Sequence, residues 1–236
     1  MTNALPFPPA AGDSKTEPNG ERLALPPLLI HDSVGVCGVR NDTRLLAEIA
    51  AGDGTPGRGL DLGAGTGYVG LYLAQRGWQV DAVDISPRAV ELAQANAERN
   101  GLAADQRPGG MRVYLSNLFE QVEGPFDVIA FNPPMRPDET EFSRIVTSLL
   151  RRSPTVSRLL MKLVGERFEN NRSAFLAQVV ADARDLLRPG GRLVLGISYD
   201  EAQEIAALPG VRLLDTRPIP GMVRQEIAAF SFEEAA

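Results

Sequence analysis

Asn132-Pro133-Pro134 brings two hydrogen-bond acceptors to one point of the chain. Prolines fix the backbone and remove N–H donors. The Pro133 carbonyl is left as an acceptor beside the Asn132 side-chain oxygen. Two acceptors facing a cleft suit an –NH2 group, which offers two donors. The lone pair of an amide or aromatic amine is delocalised, so such a nitrogen is a poor nucleophile. Holding both N–H bonds orients that lone pair and stabilises the positive charge that develops on attack. Pro134 and Met135 follow at once, and Met135 can pack on a planar acceptor. The plain alternative for the tripeptide is a proline-rich exit from a strand.

A second chemical stretch lies upstream, LDLGAGTGYVG over residues 60–70. It reads as a strand end, a glycine turn and a helix start, where backbone N–H groups are left without intrahelical partners. The glycines have two registers. Gly63-x-Gly65-x-Gly67 is one; Gly65-x-Gly67-x-x-Gly70 matches the dinucleotide fingerprint. The second requires its first glycine to follow the apolar run directly, but Gly63 and Ala64 intervene after Leu62. The first register therefore fits better. Either one needs an acid about 20 residues on to bind ribose hydroxyls, and Asp84 meets that need. A carboxylate accepts two O–H bonds at once, which suits a vicinal diol; the alternative role for Asp84 is capping the next helix. Asp61 stands at the strand mouth, where it can hold a cationic amine or brace the turn. Asn117 lies after the third strand, where its amide can meet an adenine edge or simply make a turn.

These residues need a scaffold of alternating strands and helices, and the sequence supplies one. Strands are expected at 60–62, 80–83, 111–115, 126–131, 192–197, 211–216 and 226–232. Helices are expected after Asn41-Asp42-Thr43, with Asp42 or Thr43 as cap, then at 69–75, 89–100, 173–187 and 200–208. Ser86-Pro87 reads as an N-cap with proline at the first helical position, and Gly101 as a stop. Pro189-Gly190-Gly191 reads as a tight turn. The alternation predicts an α/β fold, a mostly parallel sheet with helices on both faces. Residues 1–22 read as a flexible tail and 23–236 as one domain. Within it, residues 23–39 could form a small ribbon over the sheet edge. Residues 135–172 break the alternation with two apolar helical stretches, read either as a lid that shapes the acceptor site or as packing helices.

Composition narrows the function classes. The chain has 236 residues and a net charge of −6, which argues against a broad phosphate-binding surface. Lysine occurs only at Lys15 and Lys162. Cys37 and His31 are the only cysteine and histidine, so a Cys/His zinc site and an internal disulfide are excluded by count, and no metal is expected. No signal peptide or membrane-length apolar run is visible, and a cytoplasmic location is the default expectation.

At these motifs the chain resembles the class I S-adenosylmethionine-dependent methyltransferases. More closely it is similar to the NPPY group, and within it to the HemK/PrmC-type protein glutamine methyltransferases. LDLGAGTG resembles the family's cofactor loop, VDISPRAV its second strand, SNLFE its adenine-side turn and RPGGRLVLGI its fifth strand; Arg224 falls where the family has an arginine. The resemblance implies a Rossmann-like seven-stranded sheet, the class I methyltransferase fold. It also implies S-adenosyl-L-methionine as cofactor. Gly63, Gly65 and Gly67 would then shape the loop, Asp61 would hold the amino end, Asp84 the ribose and Asn117 the adenine. Asn132 and Pro133 would orient a nitrogen acceptor, with Pro134 and Met135 beside it.

The match to the glutamine methyltransferases has three departures. Position 135 is Met where the family has an aromatic. An Arg-rich helical segment replaces a glycine-rich one. A short tail stands in place of a helical docking domain. The expected acceptor is accordingly a small molecule or a protein glutamine, with a nucleic-acid base disfavoured by the acidic charge. Two other classes compete: an NAD(P)-dependent oxidoreductase using the shifted register, and a methyltransferase-like binding module without catalysis.

Overall fold

Runs of Leu, Val, Ile and Ala that are apolar on both sides pair as parallel strands only when both faces of the sheet are covered. The chain follows that rule. A computed structural model describes residues 14–16, 22–33, 35–104, 108–133 and 172–233. Among them β3 (Arg58–Leu62), β4 (Gln79–Asp84), β5 (Gly110–Leu115), β6 (Phe126–Phe131), β7 (Leu187–Ser198), β8 (Val211–Pro218) and β9 (Gln225–Phe232) form one sheet. Its order is β5-β4-β3-β6-β7-β9-β8. The first five are parallel, and β9 runs antiparallel to both β7 and β8. The chain starts at β3, moves outward to β5, then crosses back to β6 on the other side of β3. That reversal is a topological switch point, and ligands bind outside the carboxyl ends of the strands there.

One face carries α1 (Asn41–Ala51), α2 (Tyr68–Gln75) and α3 (Pro87–Arg99). Leu46 and Ala50 of α1 and the run Val69–Ala74 of α2 are buried against Val80, Ala82, Val128, Ala130 and Val194 of the strands. The helix over 172–186 (α4) and α5 (Tyr199–Ala206) serve the other face. There Leu176, Val179, Val180 and Ala183 pack with Leu60, Leu62, Ile129, Leu193 and Leu195. Each buried Leu, Ile or Val side chain stabilises the fold by about 1.5–3 kcal/mol.

Three local features differ from the sequence expectation. Ser14–Thr16 (β1) and Arg22–Ala24 (β2) pair as an antiparallel ribbon, although no strand is expected in the first 22 residues. Leu187 already pairs with Phe126 before the Pro189-Gly190-Gly191 turn, so β7 begins upstream of it and the ladder has an irregularity between Phe126 and Val128. α1 begins at Asn41, so Asp42 lies inside the first turn rather than at the cap.

The segment ahead of α1 is strapped to α3 by side-chain amides. Asn100 accepts from the N–H of Leu29 and donates to its carbonyl, both at 2.9 Å. Asn96, fully buried, does the same for His31 at 2.9 and 3.1 Å. Asn96 and Asn100 share a helix face, as Leu29 and His31 share one side of an extended chain. The pairing imitates a strand partner. Asn96 also donates to the Thr66 carbonyl at 2.9 Å, tying the strap to the glycine loop. The proposed helical segment 135–172 lies, apart from Arg172, outside the described residues. No helix among the described residues is long and apolar enough to cross a membrane.

Candidate active site

The glycine loop closes β3 onto α2 through three left-handed residues. Gly63, Gly65 and Gly67 have φ of 70°, 53° and 80°, values that a side chain strains. These are the glycines of the first register. Gly67 stands at the N-cap of α2. Gly70 lies within the helix and serves packing: a Cβ there would press on Met111 Sδ, on Asp61 Oδ2 at 3.2 Å and on Val80 Cγ1 at 3.3 Å. Gly70→Val is expected to cost about 2 kcal/mol or more of stability. Urea unfolding followed by fluorescence of the single, buried Trp78 measures it.

Two carboxylates brace this loop. Asp61 is buried, and its Oδ2 accepts the Gly70 N–H at 2.8 Å. Asp84 Oδ2 accepts the Gly65 N–H at 3.0 Å, while its Oδ1 accepts the Ser86 N–H at 2.8 Å. Asp84 therefore does support the turn before α3, but the cap itself is Ser86, whose Oγ accepts from Ala89 N at 3.4 Å. A carboxylate has about four lone-pair sites, so Asp84 retains acceptor capacity. Burial pushes the Asp61 carboxyl up to about 7, against the Gly70 N–H bond, with the nearby Asp84 charge adding to the rise.

This electrostatic pattern selects a ligand type. The N–H groups of Gly65 and Gly70 are already given to carboxylates, and a phosphate would meet two acids. A cation with a vicinal diol would meet partners for both. The pattern also has a sign in pH. The folded carboxyl of Asp61 lies above its ordinary 3.8. The folded chain thus keeps a proton that the unfolded chain releases, and stability falls as pH rises from about 4 to 7. Asp61→Asn is expected to abolish that fall, read from thermal melts at pH 5 and pH 8. A cationic ligand held by Asp61 is expected to bind about tenfold more weakly per pH unit well below 7, read by calorimetry.

Asp84 ends β4 and Leu115, its ladder partner, ends β5. Ile85 and Leu115 stand at this corner 67% and 51% exposed. Asn117 is close in sequence; its Nδ2 donates one N–H to Glu120 Oε1 at 2.7 Å, which leaves its second N–H and its oxygen for a ligand. Motif reading passed over Ile85 and Leu115, two exposed apolar residues next to Asp84. The available signal was an isoleucine directly after the ribose-type acid.

Asn132 and Pro133 follow β6, the strand next to β3. Leu62 pairs with Phe131, so Gly63 and Asn132 are neighbours at the same height, with strands about 5 Å apart. A Cβ on Gly63 would touch the Phe131 ring at 3.2 Å. Asn132 Nδ2 donates to Asp42 Oδ2 at 3.0 Å. Its Oδ1 is buried and takes no hydrogen bond among the described residues. Pro133 is buried. Pro134 and Met135 lie outside the described residues. The structure thus gathers Asp61, the three glycines, Asp84, Asn117, Asn132 and Pro133 at the carboxyl ends of β3 to β6.

Known proteins resemble this chain along the same stretch. The family model for the methyltransferase small domain matches residues 37–162. The release factor glutamine methyltransferase of Chlorobaculum tepidum is 32% identical over 160 residues, covering 67% of this chain and 51% of that protein. The ribosomal RNA small subunit methyltransferase C of Alcanivorax borkumensis is 33% identical over 102 residues, covering 43% and 29%. The chain spans about half or less of the length of these relatives. Among solved structures, the ribosomal protein L11 methylase of Lactobacillus delbrueckii subsp. bulgaricus superposes with a TM-score of 0.58 at 17% identity, over 87% of this chain and 86% of that one. That likeness gives the fold, the seven-stranded Rossmann-like sheet of class I methyltransferases. With the match covering more than half of its length, the chain belongs to the methyltransferase small domain family.

Proposed function

We propose that this protein transfers a methyl group from S-adenosylmethionine to an –NH2 nitrogen by direct in-line displacement. The observation that carries the proposal is the buried carbonyl oxygen of Asn132, which has no donor among the described residues and lies one strand from a loop braced by two acids. The loop suits this cofactor. Asp61 holds the cationic amine, Asp84 takes the ribose hydroxyls, and Ile85 and Leu115 supply an apolar surface for the adenine. When bound, S-adenosylmethionine supplies an electrophilic methyl on a positively charged sulfur. Asn132 Oδ1 and the Pro133 carbonyl accept the two N–H bonds of the acceptor. They turn the nitrogen lone pair toward the methyl carbon and stabilise the charge it gains. As the N–C bond forms, the C–S bond would break with its electron pair left on sulfur. S-adenosylhomocysteine would depart, and the methylated nitrogen would give one N–H proton to solvent. Positioning of this kind supplies a large part of the rate without a prior proton transfer.

The named relatives are a release factor glutamine methyltransferase and a ribosomal RNA methyltransferase, and the glutamine side chain of the first is a primary amide with the two N–H donors this site suits. We favour a glutamine amide or a small-molecule amide or amine, because the net charge of −6 opposes a polyanion. Two experiments test the reading. Calorimetry with S-adenosylmethionine and, separately, NAD(P) is expected to show binding of the first alone. Tritiated S-adenosylmethionine is then offered with protein, RNA and small-molecule pools, and label is expected in the protein or small-molecule pool. Binding of NAD(P) alone, or binding of S-adenosylmethionine with no label in any pool, would overturn it.

A further inference from the structure

Asp42 sits in the first turn of α1 with its side chain fully buried. Burying a carboxylate is costly unless every lone pair is answered. Oδ1 accepts the Thr43 N–H at 2.9 Å. Oδ2 accepts from Asn132 Nδ2 at 3.0 Å and stands 3.6 Å from the Arg40 guanidinium. The contact with Asn132 joins α1 to the end of β6 across 90 residues of sequence.

That contact has a chemical consequence. A side-chain amide has one oxygen and one nitrogen of nearly equal size, and either can face a neighbour. A carboxylate offers acceptors only, so the atom facing Asp42 must be the NH2. Asn132 Oδ1 is therefore turned away from α1, toward β7. There it is buried with no donor among the described residues, which costs about 1–3 kcal/mol in an apolar setting. The space it occupies exists because residue 196 is glycine: a Cβ at Gly196 would overlap Oδ1. Gly196 has no left-handed φ to explain its presence.

We propose that Asp42 is a positioning residue that sets the polarity of Asn132, and that Gly196 keeps the room for the resulting carbonyl. The pair makes the site select acceptors that donate N–H and reject groups that only accept. This rests on the reading of Asn132 as the acceptor-orienting group.

Asp42→Asn is isosteric and tests the proposal. Whichever way the new amide turns, one of its two contacts sets a donor against a donor. If it keeps the Thr43 N–H, it presents NH2 to Asn132, which must turn its own oxygen back toward α1. The side-chain 1H–15N signal of Asn132, identified by its loss in Asn132→Ala, is expected to shift and broaden in Asp42→Asn. Methyl transfer to the pool that takes label is expected to fall about 100-fold, an effect of the size seen when an oriented catalytic hydrogen bond is lost. S-adenosylmethionine affinity by calorimetry stays within about twofold of wild type. Asp42→Asn added to Asn132→Ala costs nothing further, because there is no amide left to orient. Gly196→Ala, which leaves Asp42 in place, shows the same loss of transfer and carries the test if Asp42→Asn fails to fold. An unmoved Asn132 signal, or an equal loss from Asp42→Asn with and without Asn132, overturns the proposal. Full activity of Asn132→Ala would defeat the reading of Asn132 itself, and the signal shift would still judge the contact with Asp42.

Discussion

Asn132→Ala is expected to lower methyl transfer by about 10²–10³-fold while changing S-adenosylmethionine affinity less than about twofold. The magnitude is that of removing one preorganised hydrogen-bond partner from the place where charge develops. Affinity is spared because, among the described residues, the Asn132 side chain hydrogen-bonds to Asp42 in α1 and to none of the loop residues. The substitution removes a buried oxygen that has no donor among the described residues but leaves the buried Asp42 Oδ2 without the Asn132 N–H, so the variant is expected to be somewhat less stable than wild type. Single-turnover rates with preformed cofactor complex, beside calorimetric titrations, separate the two effects. Loss of affinity matching the loss of rate would mean that Asn132 belongs to the cofactor site instead.

Asp84→Ala is expected to act in the opposite way, weakening S-adenosylmethionine binding about 100-fold. Hydrogen bonds to a charged acceptor contribute about 1.5–3 kcal/mol each, and two ribose hydroxyls would be lost together. The variant also frees the N–H groups of Gly65 and Ser86, so the loop relaxes and part of the effect is lost preorganisation. Asp84→Asn keeps one oxygen and one of those two loop bonds, and is expected to lie between wild type and Asp84→Ala. Equilibrium titration by calorimetry provides the comparison. A change below about twofold in Asp84→Ala would place the ribose elsewhere.

The parts of this site that were legible in sequence are those fixed by local backbone chemistry. The register Gly63-x-Gly65-x-Gly67 could be preferred because Gly63 and Ala64 intervene between Leu62 and Gly65, and in the fold all three glycines are left-handed. Ser86-Pro87 announced the start of α3, and Asp84 announced the end of β4. Asn132-Pro133 drew attention because two prolines restrict the backbone after a strand. The alternation of strands and helices pointed to a mostly parallel sheet covered on both faces, whereas the strand order β5-β4-β3-β6-β7-β9-β8 is visible only in the fold.

What sequence left open depends on contacts between distant segments. The partnership of Asp42 with Asn132 has no local signature; in sequence Asp42 looked like a helix cap. Asn96 reads as an ordinary polar position on a helix, yet it is fully buried because it pairs with the backbone of His31 and Thr66. The start of β7 was misplaced because Pro189-Gly190-Gly191 resembles a turn between elements, while in the fold the ladder to β6 resumes on both sides of it. Ile85 and Leu115 were passed over because an exposed apolar residue at a strand end is common; only the ladder pairing of Leu115 with Asp84 puts both beside that acid.

The central claim is that the carboxyl ends of β3 and β6 bring a methyl donor and an –NH2 acceptor together. The most direct measurement is transfer of tritiated methyl from S-adenosylmethionine to the protein, RNA and small-molecule pools, wild type against Asn132→Ala at equal cofactor occupancy. The account predicts N-methyl label in one pool with wild type, and about 1% or less of it with the variant. Equal label from both proteins, or label recovered on oxygen or sulfur, would contradict it.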